Sequence, residues 1–245
     1  MRTANPALNG NVFDVPNTGS SSMTIIGTVN KTAILLAIAV TAAIWSWQKY
    51  ANVTEFSELL PLFIISLLGS IIACIITIFV KRISSITAPV YAGFEGVLLG
   101  IISASFNARY PGIVFNAVIL TFGTLASLLV AYRTGLIKVT ENFKLGIIAA
   151  TGGICLVYML SIVLGIFGVH VPMIHGSGLV GLLFSGFVVV IAALNLVLDF
   201  DFIENAAANN APKYMEWYAA FGLMVTLVWL YLEILRLLAK LNSRR

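Results

Sequence analysis

The acidic residues around the junction of the last two long apolar segments are the strongest candidates for chemistry in this sequence. An uncharged run ends at Asp199 and Asp201, and Glu204 follows closely. A short polar stretch leads to Glu216, which opens the next apolar segment, and Glu233 lies in the last third of that segment. Carboxylates at membrane depth are costly and mark proton or ion pathways. These residues are therefore the first candidates for a functional site.

The composition shows which solvent this chain folds in. Hydrophobic residues make up 60% of the chain and charged residues only 10%, with a mean hydropathy of +1.00. A soluble domain has about 25% charged residues. Residues 145–198 contain no Asp, Glu, Lys or Arg, and that length holds two spans of about 20 residues each. The sequence predicts an all-α polytopic membrane protein rather than a β-barrel. The net charge of +4 bears on topology rather than on a nucleic-acid partner.

The apolar runs predict a bundle of seven transmembrane helices. Their expected ranges are about 30–47, 59–80, 89–106, 112–132, 145–168, 178–198 and 216–238. Residues 1–23 are rich in Asn, Pro, Gly, Ser and Thr and form a polar, flexible arm, whereas residues 24–245 form the transmembrane domain. The arm lacks the apolar core of a secretory signal peptide. The sequence leaves open whether the other helices form two triplets around helix 7.

Basic residues predict the topology. With seven spans, the N-terminus and the loops 2–3, 4–5 and 6–7 share one side of the membrane. Eight basic residues lie at that side: Arg2, Lys31, Lys81, Arg82, Arg133, Lys138, Lys144 and Lys213. The loops of the other side hold only Lys49 and Arg109, so the N-terminus is expected in the cytoplasm. With seven full spans, the basic C-terminal segment lies on the opposite side, against this charge rule. A re-entrant helix 7, which returns to the cytoplasmic side, is therefore the alternative to a full span.

Helix 3 carries a stripe of small residues beside an acidic one. Ala92, Gly96, Gly100 and Ala104 recur every four residues, a pattern that lets another helix approach closely. Glu95 lies about 100° around the helix from Gly96. Two interpretations stay open: a neutral, hydrogen-bonded residue that fixes helix packing, and a titrating group in a pathway.

The parity of the spans places several carboxylates in one half of the bilayer. Helix 3 begins, helix 6 ends and helix 7 begins on the same side, so Glu95, Asp199, Asp201 and Glu216 share that half. Asp199 directly continues the apolar run and is expected to face the bundle interior. Asp201 and Glu204, three residues apart, are expected to form a solvated face, and Glu216 is expected to lie close to water.

Other polar residues favour structural roles. Glu233 and Arg236 are three residues apart on helix 7 and predict a local ion pair near the far interface. His170 and His175 are expected in a loop, with pH sensing as the alternative. Cys74 and Cys155 lie in the middle of helices and predict small apolar core residues rather than a disulfide or a zinc site.

Enzyme motifs are not found. The His175-Gly-Ser-Gly sequence lacks the first glycine of the GxSG pattern of rhomboid-type proteases, and no H-E-x-x-H or Walker A sequence occurs. We therefore expect a protein that is not an enzyme and has no cofactor.

Four segments together resemble one family. They are RTANPAL near the N-terminus, PVYAGFEGVLLGIIS in helix 3, LNLVLDFDFIE at the end of helix 6, and PKYMEWYAAFGLMVTLVWLYLEILRLL in helix 7. The chain resembles the Bax inhibitor-1-like (transmembrane Bax inhibitor motif) family, in its bacterial branch, over nearly its whole length. The resemblance implies a seven-helix bundle with helix 7 near its centre, in the bacterial inner membrane. It also implies a proton-sensitive leak for cations, chiefly calcium.

The resemblance also implies a pair of aspartates, and this sequence departs from it. In the better-known branch, an aspartate ending helix 6 pairs with an aspartate in helix 7. The first falls on Asp199, but the second falls on Thr226, which cannot titrate. Glu95 and Glu216 are the candidate substitutes, since they share the half of Asp199. Glu233 lies on the Thr226 face, about 10 Å further along the helix.

Two functions are expected as the main alternatives, and an intramembrane enzyme is a third, less favoured one. The first is a pH-sensitive calcium or cation leak gated by intramembrane carboxylates, with calcium as the transported ion; the sequence does not identify a metal site. The second is a non-conducting interaction protein that modulates a membrane protease or other membrane-protein quality control. The lipid bilayer is a partner in both, and the oligomeric state is left open.

Overall fold

The computed structural model describes residues 22–53, 55–168, 176 and 178–244. In this part of the chain, seven helices are long and apolar enough to cross a membrane. They are α1 (Ile25–Ala51), α2 (Leu60–Phe79), α3 (Ser84–Arg109), α4 (Ile113–Arg133), α5 (Glu141–Ile166), α6 (Leu179–Ala208) and α7 (Met215–Asn242). The all-α, seven-helix prediction is confirmed.

α1 and α3 both begin earlier than the sequence predicted. α1 starts at Ile25 because Thr24 caps it: the Thr24 hydroxyl accepts a hydrogen bond from the Gly27 N–H at 3.0 Å. Pro89, expected at the start of helix 3, lies inside α3, which begins at Ser84. Proline is tolerated within membrane helices because neighbouring groups satisfy the freed backbone carbonyl. A proline is therefore a weaker boundary signal here than in a soluble helix.

The largest difference from the predicted boundaries is at the end of α6. The sequence placed this end at Leu198, before the first aspartate, but α6 continues to Ala208. The helix stops where Asn210 adopts a left-handed backbone, with φ 53°, and the Ala211 N–H donates to the Ala206 carbonyl at 3.2 Å. Asparagine commonly ends helices in this way. The first aspartate of the segment therefore does not mark the helix end.

The chain just before α1 pairs with the connection between α6 and α7. Ser22 forms an isolated antiparallel bridge with Pro212, and the Met23 N–H donates to the Ala211 carbonyl at 2.7 Å. Met23 is 2% exposed. The predicted polar arm lies, up to residue 21, outside the described residues, and so do His170 and His175. The end of the predicted arm, Ser22 and Met23, is thus part of the packed structure.

The chain divides into two compact units, each built on three helices. The α1–α3 unit contains the described chain up to Pro111 together with Ile203–Val225. The α4–α6 unit contains Gly112–Phe202 and the described chain from Thr226 onward. The first part of α7 therefore belongs to one unit and the rest to the other. α7 is also the most buried of the seven helices, followed by α6.

In the α1–α3 unit, α3 packs against both α1 and α2. The small-residue stripe of α3 is buried and faces α1. A Cβ atom on Gly96 would lie 2.7 Å from the Ala39 Cα, and one on Gly100 would lie 2.8 Å from the Ala43 Cα. Such distances are too short for any side chain, so only glycine permits this approach of α1.

In the α4–α6 unit, α5 and α6 share an apolar core that includes one polar contact. Ile154 packs with Val188 and Ile191, and the Asn195 side chain donates to the Thr151 hydroxyl at 2.8 Å. Cys155 is exposed, so the prediction that it is a core residue is wrong. It lies on α5, which has few buried residues. Cys74 of α2 is half-buried, and both thiols are free.

Candidate functional site

Asp199 lies within α6, at the end of the stretch 191–199, in which every residue except Leu194 is buried. Its relative exposure is 0%, and Leu196, Val197 and Leu198 before it are equally enclosed. A stretch of helix that is buried on all sides is surrounded by packed side chains. The Asp199 carboxyl group is therefore held at a site that solvent does not reach.

Asp201 forms an ion pair, which the sequence did not predict. Its Oδ2 lies 3.2 Å from the Lys144 Nζ, and the Glu141 Oε1 lies 3.3 Å from the same nitrogen. The Lys144 side chain is only 8% exposed, and that of Asp201 is 18% exposed. The expectation that Asp201 lies on a solvated face is therefore wrong. Lys144 belongs to the first turn of α5 rather than to a loop, and from there its ammonium contacts Asp201. Glu204 is exposed, as expected.

Glu216 is buried at the start of α7 and tied to the start of α1. Its Oε1 accepts hydrogen bonds from the backbone N–H and the hydroxyl of Thr24, both at 2.9 Å, and from the Lys213 Nζ at 2.7 Å. Its Oε2 pairs with the Lys31 Nζ. The relative exposure of Glu216 is 0%, so the expectation that it lies close to water is wrong. We call Thr24, Lys31, Lys213 and Glu216 the α1–α7 clamp.

Gly27 and Trp217 complete the surroundings of the α1–α7 clamp. A Cβ atom on Gly27 would overlap the Glu216 carboxylate, so any larger residue displaces it. The Lys31 Nζ lies 5.6 Å from the centre of the Trp217 ring, within the range of a cation–π contact. Charge-assisted hydrogen bonds are about twice as strong as neutral ones. The clamp therefore holds the start of α1 against the start of α7.

Glu95 lies between α3 and α2 rather than on the α1 side of α3. Its carboxyl group lies close to the hydroxyl of Ser70 of α2. Cys74 of α2 and Tyr91 of α3 are close enough to interact with it electrostatically. The side chain is half-buried. Glu95 thus belongs to a polar group of side chains within the α1–α3 unit, next to the stripe that contacts α1.

Glu233 is buried in the α4–α6 unit and has two partners. The Arg236 Nη1 lies 2.9 Å from its Oε1, which is the local ion pair that the spacing predicted. The Tyr158 hydroxyl donates to the carboxylate, with both oxygens at 3.1 Å. The Arg236 guanidinium lies 5.5 Å from the centre of the Tyr158 ring. The side chain of Glu233 is 1% exposed and that of Arg236 is 49% exposed, so the carboxylate is enclosed while the guanidinium reaches the surface of the protein.

One comparison with known proteins gives a match. The family model described as Bax inhibitor 1 like matches residues 5–243. The chain belongs to the Bax inhibitor 1-like family. Its match covers nearly the whole chain, so the family resemblance seen in the four segments is confirmed. Neither a curated protein nor a solved structure matches the chain significantly.

This Bax inhibitor 1-like chain has a buried threonine where the resemblance implied an aspartate. Thr226 is 3% exposed and lies in the α4–α6 unit, as do Asp199 and Asp201. Glu95 and Glu216 lie in the α1–α3 unit. The suggested reliance of Asp199 on Glu95 or Glu216 stays a prediction. Among the described residues, no group of three or more His, Cys, Asp or Glu side chains has an arrangement that would hold a metal ion.

The partners that sequence reasoning missed are distant in the chain. Lys31 precedes Glu216 by 185 positions, and Tyr158 precedes Glu233 by 75. The predicted helix 5 begins just after Lys144, whereas the observed α5 begins at Glu141 and includes Lys144 in its first turn. One signal was present: a lysine close to an apolar run needs a counter-charge or a route to water. That signal identifies the lysine but not its partner.

Proposed function

We propose that this multi-pass membrane protein of the Bax inhibitor 1-like family is a pH-sensitive leak for cations, chiefly calcium. The observation that supports the proposal most is the complete burial of the Asp199 carboxyl group inside a helix long enough to cross a membrane. A buried membrane carboxylate is costly, and such residues mark ion and proton pathways. In this proposal the protein catalyses no reaction, and calcium is the transported ion rather than a cofactor.

The proposed mechanism rests on how a buried carboxyl group balances its charge. An ionised carboxylate in a low-dielectric site requires a cation or hydrogen-bond donors beside it. The protonated carboxyl group is neutral and requires no cation. A calcium ion and a proton therefore compete to neutralise Asp199. If α6 packs differently around the two forms, protonation shifts the balance between closed and conducting arrangements.

The remaining carboxylates divide between structural and gating roles. Glu216, Glu233 and Asp201 each contact a lysine or an arginine, so we assign them to packing. Glu95 lies next to the neutral Ser70. It is therefore the second group that we assign to gating, with the same competition between proton and cation.

Calcium flux into liposomes tests this assignment. The purified protein is reconstituted with a calcium indicator inside the vesicles, and uptake is measured between about pH 5 and 8. Asp199→Asn should abolish the pH dependence of flux rather than scale its size. Glu95→Gln should shift or remove the same titration, and the double variant should add little to either single variant if the groups are coupled.

Two further variants sharpen the measurement. Glu204→Gln is the matched control, since it removes an exposed carboxylate from the same helix. It should leave both the size and the pH dependence of flux unchanged. Thr226→Asp restores the residue that the family resemblance implies and should strengthen proton sensitivity.

Two outcomes contradict the proposal. Unchanged pH dependence in both Asp199→Asn and Glu95→Gln removes these residues from gating. Absence of flux in the unmodified protein at every pH favours the alternative, a non-conducting interaction protein that modulates a membrane protease or membrane-protein quality control.

The proposed location is the inner membrane of a bacterial cell, with the N-terminus in the cytoplasm.

A further inference from the structure

An apolar groove of about 950 Å³ lies between α1 and α3, within the α1–α3 unit. It lies beside the line along which Gly96 and Gly100 contact α1. Its wall is formed by one stripe of each helix. Its lining includes Ile34, Thr41 and Trp45 of α1, and Pro89, Gly93 and Phe94 of α3.

The length of the groove matches one leaflet of a bilayer. Ile34 and Trp45, at the two ends of the α1 wall, are eleven positions apart, or about 16 Å at the helical rise per residue. The hydrocarbon core of a bilayer is about 30 Å thick, so one leaflet contributes about 15 Å. The groove begins at Ile34, in the first half of α1 (Ile25–Ala51), extends over the middle of the helix and ends at Trp45, close to its C-terminal end.

The C-terminal end of the groove has the residues of a membrane interface. Trp45 is 47% exposed, and the Lys49 Nζ lies 5.9 Å from the centre of its ring. Tryptophan is enriched at the level of lipid headgroups, and lysine extends its ammonium toward that level. An exposed ammonium one turn beyond an apolar groove is complementary to a phosphate attached to an acyl chain.

The charge at one end of the groove favours a lipid as its occupant. The lining of the groove is almost entirely apolar, whereas the Lys49 ammonium lies beside Trp45 at its C-terminal end. An acyl chain attached to an anionic headgroup fits both features. We propose that the groove binds the acyl region of one anionic phospholipid, whose phosphate lies at Lys49. This inference does not depend on the proposed ion leak.

Gly93 provides the variant that tests the proposal. A Cβ atom at this position would meet no other atom within 4 Å, so Gly93→Leu fills the groove without a clash inside the protein. Gly123 of α4 has the same open surroundings outside the groove, and Gly123→Leu is therefore the matched control. Thr41→Phe is a second groove-filling variant, at an exposed position of α1.

The measurement is native mass spectrometry of the purified protein after incubation with phosphatidylglycerol or phosphatidylcholine. The unmodified protein should retain a single phosphatidylglycerol, with a preference over phosphatidylcholine of about fivefold, as expected for one lysine at an anionic headgroup. Gly93→Leu and Thr41→Phe should lose the retained lipid, and Gly123→Leu should keep it. Lys49→Gln should keep a lipid but lose the preference for the anionic headgroup.

Several results would overturn the proposal. Retention in both groove-filling variants equal to that of the unmodified protein excludes the groove as the site. Loss of lipid in Gly123→Leu to the same extent shows general surface lipid only. A protein dimer that Gly93→Leu dissociates assigns the groove to a second copy of the chain. If Gly93→Leu does not fold, Thr41→Phe decides, because its ring replaces a hydroxyl that bonds only within its own helix.

Discussion

Replacing Glu216 by glutamine should destabilise the protein by about 3 kcal/mol. The carboxylate is completely buried, and the ammonium of Lys31, whose side chain is 18% exposed, pairs with it. Removing one partner of a buried ion pair costs about 3–5 kcal/mol, because the other charge remains enclosed. Lys213 is 48% exposed and adds about 0–1 kcal/mol. We expect the low end of the ~3–5 kcal/mol range, because the side chain of Lys31 is partly exposed and its ammonium is therefore not fully enclosed.

A double-mutant cycle isolates the ion pair from the other contacts of Glu216. Lys31→Met should cost less than Glu216→Gln, because Lys213 and Thr24 still donate to the carboxylate. The double variant should cost about as much as Glu216→Gln alone. The coupling energy between the two positions should then be about 1–3 kcal/mol.

Reversible unfolding in mixed micelles, at increasing fractions of sodium dodecyl sulfate, measures these differences. Glu204→Gln serves as the control, since an exposed substitution should remain within about 0.5 kcal/mol of the unmodified protein. A Glu216→Gln variant equally close to the unmodified protein would refute the reasoning. Strict additivity of the two single variants would show that Lys31 and Glu216 do not interact.

Two further predictions concern packing and topology. Gly96→Leu should abolish the monodisperse folded protein in gel filtration, because its side chain would overlap the α1 backbone, whereas Gly93→Leu should elute as the unmodified protein does. Single cysteines near Lys138 and Lys213, in a background with Cys74 and Cys155 replaced by serine, should resist membrane-impermeant thiol reagents in intact cells. Labelling of either loop from outside would reverse the predicted orientation.

Hydropathy predicted the helices well because membrane helices must satisfy every backbone group internally. The number of spans and the order of the elements follow from apolar length alone. The boundaries were less accurate where charge was taken as a stop signal. Asp199 ends an uncharged run, but nothing in an aspartate prevents a helix from continuing, and α6 ends only at the turn around Asn210. A charged residue shows where the chain becomes more polar, but it does not interrupt the backbone hydrogen bonds of a helix.

The environments of the carboxylates were the harder part. Burial of Asp199 was expected from the apolar run that it continues. The surroundings of Glu216 were not, because its partners Thr24 and Lys31 come from the opposite end of the chain. The same holds for Tyr158, which donates to Glu233 across the α4–α6 unit. Local spacing predicted Arg236 as a partner of Glu233, since that contact lies within one turn of a helix.

The α1–α7 clamp also has a consequence for the order of assembly. Thr24 and Glu216 are separated by 192 positions, so a ribosome adding 5–20 residues per second needs roughly 10 to 40 s between them. During that interval α1 is already made, while the ammonium of Lys31 and the backbone N–H of Thr24 await their acceptor. Thr24 can cap α1, and α1 can pack against α3 along the glycine stripe, before α7 is made. The contacts of Lys31 and of the Thr24 N–H with Glu216 form only afterwards. The seventh helix therefore completes the polar contacts at the start of the first.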